Sequence, residues 1–533
     1  MLSERTLING LILIAGMILG PYLITLTFEF NQLALLSFAS IAALFVIFFF
    51  AKDRISVLPF MAGSFSGNLN VLPFGLTLVE VFSLVLILYF LVNYVALNRR
   101  PLNGGPRYFL FPMLVIAAIV LYHDHKISLH ALGGVEQGSR PGLLILLAIV
   151  AYVCGINMAC PPTSFLKYLP CWCFLMALLG SLPFILTTYF PSTAPYIINY
   201  SGNINLSAYI ESVKGGDVED TGRNGSFLGI ATTLQGLMVA YFPVSTWWRP
   251  SRWILLILSL LCLYGILMSG YRNALLTFVL ISLLGAVCYS RMRLLLMMPL
   301  LALVPLALML IQNNHIAGLT LPDTVQRTMS FLPGEWDSDV KRSAESSNEF
   351  RADITRVYMK EYLDKSPWIG NGFAFNPRES EGYEALAHIG GSADPSYFET
   401  KAFLVSKNFH IGWISLYDAV GIIGGIAFVI LNVALVGTAA YFVFKKDADM
   451  NSSLYPTKVW LFCNLFAGLV GYFTTFGAFN LALVGLCCTA IVLVHLGRLD
   501  ERSALKTVTL ATPVPTSLTN RSGVTSLAKS PLS

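Results

Sequence analysis

Apolar runs of about twenty residues, separated by short polar links, recur from residue 7 to residue 496. The predicted spans are 7–28, 32–51, 55–71, 76–97, 108–122, 141–158, 168–186, 227–241, 253–268, 273–289 and 294–311, then 414–443, 459–476 and 481–496. Most are long enough to cross a hydrocarbon core of about 30 Å as a helix. They are continuously apolar rather than alternating, which excludes a β-barrel. The run 55–71 is short and broken by Pro59, Gly63 and Gly67, so a re-entrant segment and a crossing one both stay open. The pattern predicts an all-α polytopic membrane protein with about 12–14 transmembrane helices and one large polar loop. Four regions follow: an N-terminal bundle at 1–312, the loop at 313–412, three C-terminal helices at 413–498, and a tail at 499–533.

One helix is evident inside the loop. Ser346 and Glu349 have capping-box spacing. Phe350, Ile354, Val357 and Tyr358 then recur at helical spacing, with Arg351, Asp353, Arg356 and Lys360 between them. Ser366 and Pro367 end that helix, and Gly370, Asn371 and Gly372 make a tight turn. The tail beyond Asp500 has few large apolar residues and reads as disordered.

Composition agrees with the pattern. Charged residues make up only 12% of the 533 residues, against about 25% in a soluble protein, and mean hydropathy is +0.68. The net charge of +5 carries no nucleic-acid signal. Its cations sit in short links, where Lys and Arg set orientation. Arg99, Arg100, Arg107, Lys167, Arg249, Arg252, Arg291, Arg293, Lys445 and Lys446 fall on one side if every span crosses. That side is the cytoplasm, which puts the large loop outside it. All nine cysteines lie in or beside apolar runs and none is in the loop, so packing rather than disulfides holds it.

A charge within a membrane is costly, so its position is informative. Glu80, Arg223, Arg272, His410 and Asp418 all fall near the loop-side ends of spans. No acidic chain crosses the midplane, which weighs against a proton-coupled transporter. Each residue also has a plain reading: Arg272 snorkelling to headgroups, Arg223 as a loop cation, His410 as a packed histidine. His123 and His125, with His130, are a conceivable metal set, but they lack the i, i+4 spacing of a helical pair.

Three stretches resemble the bacterial O-antigen ligase and polymerase family. Met268, Ser269, Gly270, Tyr271 and Arg272, followed by Asn273, Ala274, Leu275 and Leu276, are similar to its "SGSRxALL". Arg351 through Pro367, Gly370, Gly372 and Phe373 resemble "R…PxxGxGF". His410 through Gly421 and Gly424 resemble "HNxxL…GxxG". Arg223 is similar to the arginine before an earlier helix. Tyr271 stands where the family has Ser, and Ile411 where it has Asn.

The resemblance implies a GT-C-like membrane glycosyltransferase in the bacterial inner membrane. Such an enzyme moves a glycan from a polyprenyl-diphosphate carrier to an acceptor hydroxyl, in lipopolysaccharide or exopolysaccharide synthesis. It implies no cofactor and no metal, with partners limited to the bilayer, the lipid-linked glycan and a lipid or glycan acceptor. His410 would be the base, and Arg223 and Arg272 would hold the diphosphate. Arg351, Arg356, Glu80 and Asp418 would support the site or bind glycan. Ligase and chain-extending polymerase both stay open, and from another class so does a transporter of solute or lipid-linked glycan.

Overall fold

The computed structural model describes residues 54–64, 77–96, 106–123, 139–190, 228–247, 249–289, 303–313, 320–374, 377–388, 395–407, 409, 411–445, 449–474 and 477–511. The predicted spans 7–28 and 32–51 lie outside these. The helices are α1 (Leu58–Gly63), α2 (Leu78–Phe90), α3 (Arg107–His123), α4 (Ser139–Ile156), α5 (Leu169–Tyr189), α6 (Leu228–Tyr241), α7 (Trp253–Leu267) and α8 (Arg272–Tyr289). After α9 (Leu303–Asn313) comes the loop, with α10 (Asp323–Met329), α11 (Ser338–Glu361), α12 (Pro377–His388) and α13 (Pro395–Val405). The chain closes with α14 (Gly412–Phe444), α15 (Tyr455–Thr474) and α16 (Phe479–Ala511).

Among the described residues, four helical stretches are long and apolar enough to cross a membrane: Pro250–Leu267, Arg272–Tyr289, Gly412–Phe444 and Phe479–Arg502. Six shorter apolar helices accompany them. The protein is an all-α polytopic membrane protein. The hydropathy pattern locates α3, α4, α6, α7, α8, α14 and α15 to within a few residues, because continuous apolarity sets where each helix enters and leaves a membrane.

Two cores hold the bundle. The larger joins α1 to α4 with α14, α15 and α16, and its fully buried side chains include Phe109, Tyr152, Phe428 and Phe479. The second joins α6, α7 and α8 to α10 and Trp336 of the loop. Glycine sets how closely α6 and α8 approach. A Cβ on Gly285 would lie 1.7 Å from Val239 Cγ1, so only a bare Cα fits there. A third cluster belongs to the loop, where Ile354, Val357 and Tyr358 of α11 pack on Leu404, Phe409 and Ile414.

Two sequence expectations are corrected. The loop helix begins at Ser338, not after Ser346: the Asp337 carboxylate accepts from the backbone N–H groups of Asp339 and Val340 and caps it. Ser346 lies inside the helix, its hydroxyl turned back to the Ser343 carbonyl. The last helix does not stop near Leu496 but runs to Ala511, so the first residues of the expected tail are helical. Asp500 accepts from Lys445 at 3.0 Å and from Lys458 at 2.7 Å, which ties that extension to α14 and α15.

Candidate functional site

The loop meets the bundle where α14 is broken. Gly421 has φ 63° and ψ −165° inside an otherwise regular helix. In an unbroken helix the Ile422 N–H would bond the Asp418 carbonyl, four residues back. Here the Ile422 N–H donates to the Pro367 carbonyl at 2.9 Å, and the Ile423 N–H to the Trp368 carbonyl at 3.0 Å. The Asp418 carbonyl, released, accepts from the Asn371 N–H at 2.6 Å. The loop thus supplies the partners that the helix gives up, and these buried backbone groups stay satisfied.

Glycine makes the exchange possible. Gly370 and Gly372 have φ of +76° and +71°, where a side chain is strained. A Cβ on Gly421 would lie 2.5 Å from backbone atoms of Trp368, Ile369 and Gly370. His123, at the end of α3, donates from Nε2 to the Ile369 carbonyl at 2.9 Å. The ring considered for metal binding therefore serves this clasp. His125 and His130 lie outside the described residues.

Beneath the clasp sits Asp418, 1% exposed. Its carboxylate accepts from Asn371 Nδ2 at 2.8 Å and from the Tyr358 hydroxyl at 3.3 Å, and it pairs with the Lys407 ammonium. Lys407 has φ 58°, the one positive φ outside glycine among the described residues. Its backbone turns the chain after α13 while its side chain reaches the buried carboxylate. The Tyr358 ring meets Phe409, Trp413 and Tyr417 edge to face. Burial, and then the Asp418 charge beside it, push the Tyr358 phenol far up from its ordinary range. A second loop pair joins α11 to α13. Burial opposes the Glu361 charge, but hydrogen bonds from Lys401 and Tyr397 outweigh it and hold the carboxyl below its usual value.

Arg272 opens α8, just after Gly270 with its φ of 72°. Its Nη2 donates to the Ser330 hydroxyl at 2.8 Å and its Nε to the Arg327 carbonyl at 3.4 Å, so the end of α10 orients the guanidinium. Arg272 is the one charged residue among the described residues lining an apolar cleft of about 300 Å³, whose walls include Leu263, Leu275, Val304, Leu308 and Phe331. The next residue, Asn273, lines a different and larger cavity of about 550 Å³ with Thr277, Asn432, Trp460 and Asn464. One end of α8 therefore serves two spaces.

Glu80, Arg351 and Arg356 line neither space. Glu80 forms a capping box with Thr77 at the start of α2 and pairs with Arg140 of α4 at 3.0 Å. Arg356 pairs with Asp353 at 2.8 Å on an exposed face of α11, and Arg351 is half-buried on the same helix. His410 and Arg223 lie outside the described residues. Sequence reasoning missed Lys407, Asn371 and Tyr358, whose roles appear only once Asp418 is seen as their common partner. It also missed Arg327, buried and bonded to Ser343 and Ser347 of α11. The two serines one turn apart were its only trace.

Comparison with curated proteins found no match. A family model described as O-antigen ligase matches residues 257–429, from within α7, through α8 and the whole loop, to just beyond the Gly421 break. Over that stretch, about a third of its length, the chain is similar to the O-antigen ligase family.

Proposed function

We propose that the protein is a glycosyltransferase that takes a glycan from a polyprenyl diphosphate and passes it to an acceptor hydroxyl on the outer face of the bacterial cytoplasmic membrane. The observation that carries this reading is Arg272 at an apolar cleft, within the segment that matches the family. An isoprenoid suits the apolar walls, and a diphosphate suits a forked guanidinium already held in place by Ser330.

In the step itself, the acceptor oxygen gives its proton to neutral His410 and attacks the anomeric carbon. The bond from that carbon to the diphosphate oxygen breaks, the configuration inverts, and the polyprenyl diphosphate leaves with the electron pair. Arg272 and Arg223 meet the growing negative charge on the leaving group. Two permanently charged arginines supply what a divalent cation otherwise would, so the reading needs no metal. An imidazole ordinarily titrates near about 6.5, which suits a base near neutral pH.

Arg351 and Arg356 are proposed to contact the glycan. Asp418 is proposed to support the segment that carries His410: Lys407 anchors that segment on one side, and on the other the Tyr472 hydroxyl donates to the Gly412 carbonyl at 2.8 Å. Glu80 is proposed to brace α2 against α4. The test is transfer by the purified protein from a polyprenyl-diphosphate oligosaccharide, with and without a lipid-core acceptor. A new lipid conjugate identifies a ligase, longer lipid-linked chains identify a polymerase, and neither product refutes the reading. Chelator is expected to leave the rate unchanged; a loss restored by metal would contradict the arginine-only step.

A further inference from the structure

The clasp lies where two exposed apolar stripes end. Along α14, no residue from Gly412 to Gly421 is exposed. Beyond the break, Ile422, Ile423, Ile426, Val429, Ile430 and Val433 are all exposed, and the stripe runs on through Tyr441 to Phe444. At about 1.5 Å per residue, Ile422 to Phe444 spans about 33 Å, close to a hydrocarbon core of about 30 Å. The part of α14 beyond Gly421 is therefore long enough to cross a membrane by itself. The stripe on α3 approaches from the other direction. Its exposed residues Phe111, Leu114, Leu121 and Tyr122 stop at His123, whose ring donates to the Ile369 carbonyl.

Trp368 stands where the two stripes end. Its carbonyl accepts from the Ile423 N–H at 3.0 Å, which sets it level with the first exposed turn of α14. Its side chain is 64% exposed, whereas Trp336 in the same loop is buried. In water that exposure leaves a large apolar ring uncovered. At a membrane–water boundary the same ring is favoured, because its body is apolar and its N–H edge is polar. Charges narrow the position of that boundary. Asp364 and Lys365, just before Trp368 in the chain, are exposed, and charged groups avoid hydrocarbon. The far end of the α14 stripe shows the same order, exposed Tyr441 and Phe444 rings and then Lys445.

We propose that the loop is docked on the lipid surface through Trp368. Its indole lies among the headgroups and upper acyl chains of the loop-side leaflet, where it and Tyr122 form one aromatic rim, with the boundary between Lys365 and Trp368. The partner is the bilayer, met by a loop that reads as polar in the sequence. The anchor also fixes the height of the loop. Asn371, in the same turn, donates its backbone N–H to the Asp418 carbonyl at 2.6 Å, so the buried carboxylate is held at the boundary rather than well above it. None of this depends on the chemistry the protein performs.

The test is tryptophan fluorescence of the full chain in lipid nanodiscs. One quencher is phosphatidylcholine brominated near the headgroup end of its acyl chains; the other is iodide in water. The emission lost on Trp368→Phe isolates that ring from the other tryptophans. This difference signal should lose most of its intensity to the brominated lipid and little to iodide. Lys365→Trp, added to the Trp368→Phe chain, puts an indole on the other side of the boundary, and its emission should show the reverse. Both positions are exposed, so neither substitution opens a core. Iodide quenching of Trp368 as strong as that of the Lys365→Trp indole would stand the ring in water and overturn the proposal. Insensitivity to both quenchers would mean that protein covers the ring, as in an oligomer, and would overturn it too. So would equal lipid quenching at the two positions, which would submerge the charged turn as well.

Discussion

Among single residues, Asp418 is the most consequential that the structure describes. Its carboxylate is buried and gathers Lys407, Asn371 and Tyr358, so removing it leaves an ammonium and two polar groups facing a void. Breaking a buried pair from one side costs about 3–5 kcal/mol. Asp418→Ala is therefore expected to lower thermal stability of the purified protein by about 3 kcal/mol, at the lower end because Lys407 is partly exposed. Lys407→Met combined with Asp418→Leu should recover part of that loss, which a thermal double-mutant cycle measures.

Glu361 gives the acid side of the stability profile. Its folded pKa is lowered, so its contribution is present above the unfolded value and fades as pH falls through the folded one. Glu361→Gln should flatten the acid limb of stability against pH, with its full deficit at neutral pH and a deficit that fades as pH falls through the folded value. A limb unchanged by the substitution would contradict the Lys401 and Tyr397 assignment. Asp418 was legible in the sequence as an acid near a span end. Its partners were not, because Lys407 and Tyr358 carry no local signal and meet it only through the tertiary fold.

At the level of elements, two glycine motifs that are about fifty residues apart prove to be halves of one contact. Gly370 lets the loop turn, and Gly421 lets α14 break at the same point, with three backbone hydrogen bonds exchanged across the join. Gly370→Ala is expected to cost at least about 1–2 kcal/mol from the left-handed backbone alone. Its specific sign is faster hydrogen exchange at the amides of Asn371, Ile422 and Ile423, with α15 unaffected. Protection that persists at those three amides would refute the clasp. A capping test distinguishes the true start of α11: Asp337→Ala should cost about 1 kcal/mol, while Ser346→Ala should change little. The sequence placed the end of the loop helix at Ser366 and Pro367, but the helix stops earlier, at Glu361, with the Tyr362 N–H donating to the Tyr358 carbonyl. The sequence also misplaced the start because Ser346 and Glu349 imitate a capping box within a helix that Asp337 has already begun.

The whole molecule combines a bundle that hydropathy makes plain with a loop whose attachment it does not reveal. The apolar runs located the helices because lipid imposes length and composition on each one separately. Nothing in the periodicity announces that α8 separates an apolar cleft from a neutral polar cavity, since that depends on which neighbours turn which face toward it. The family match includes the described lining of the Arg272 cleft and both Gly370 and Gly421 of the clasp. The clasp is expected to be structural and the chemistry to belong to the cations. The most direct measurement is single-turnover glycan transfer from a polyprenyl-diphosphate oligosaccharide by His410→Ala and Arg272→Ala, each first shown to insert and melt like the unmodified chain. Each is expected to be slower by about 10²–10⁴-fold or more, the range for losing a general base or a transition-state charge partner. Transfer near the original rate in either variant would contradict the role given to that residue.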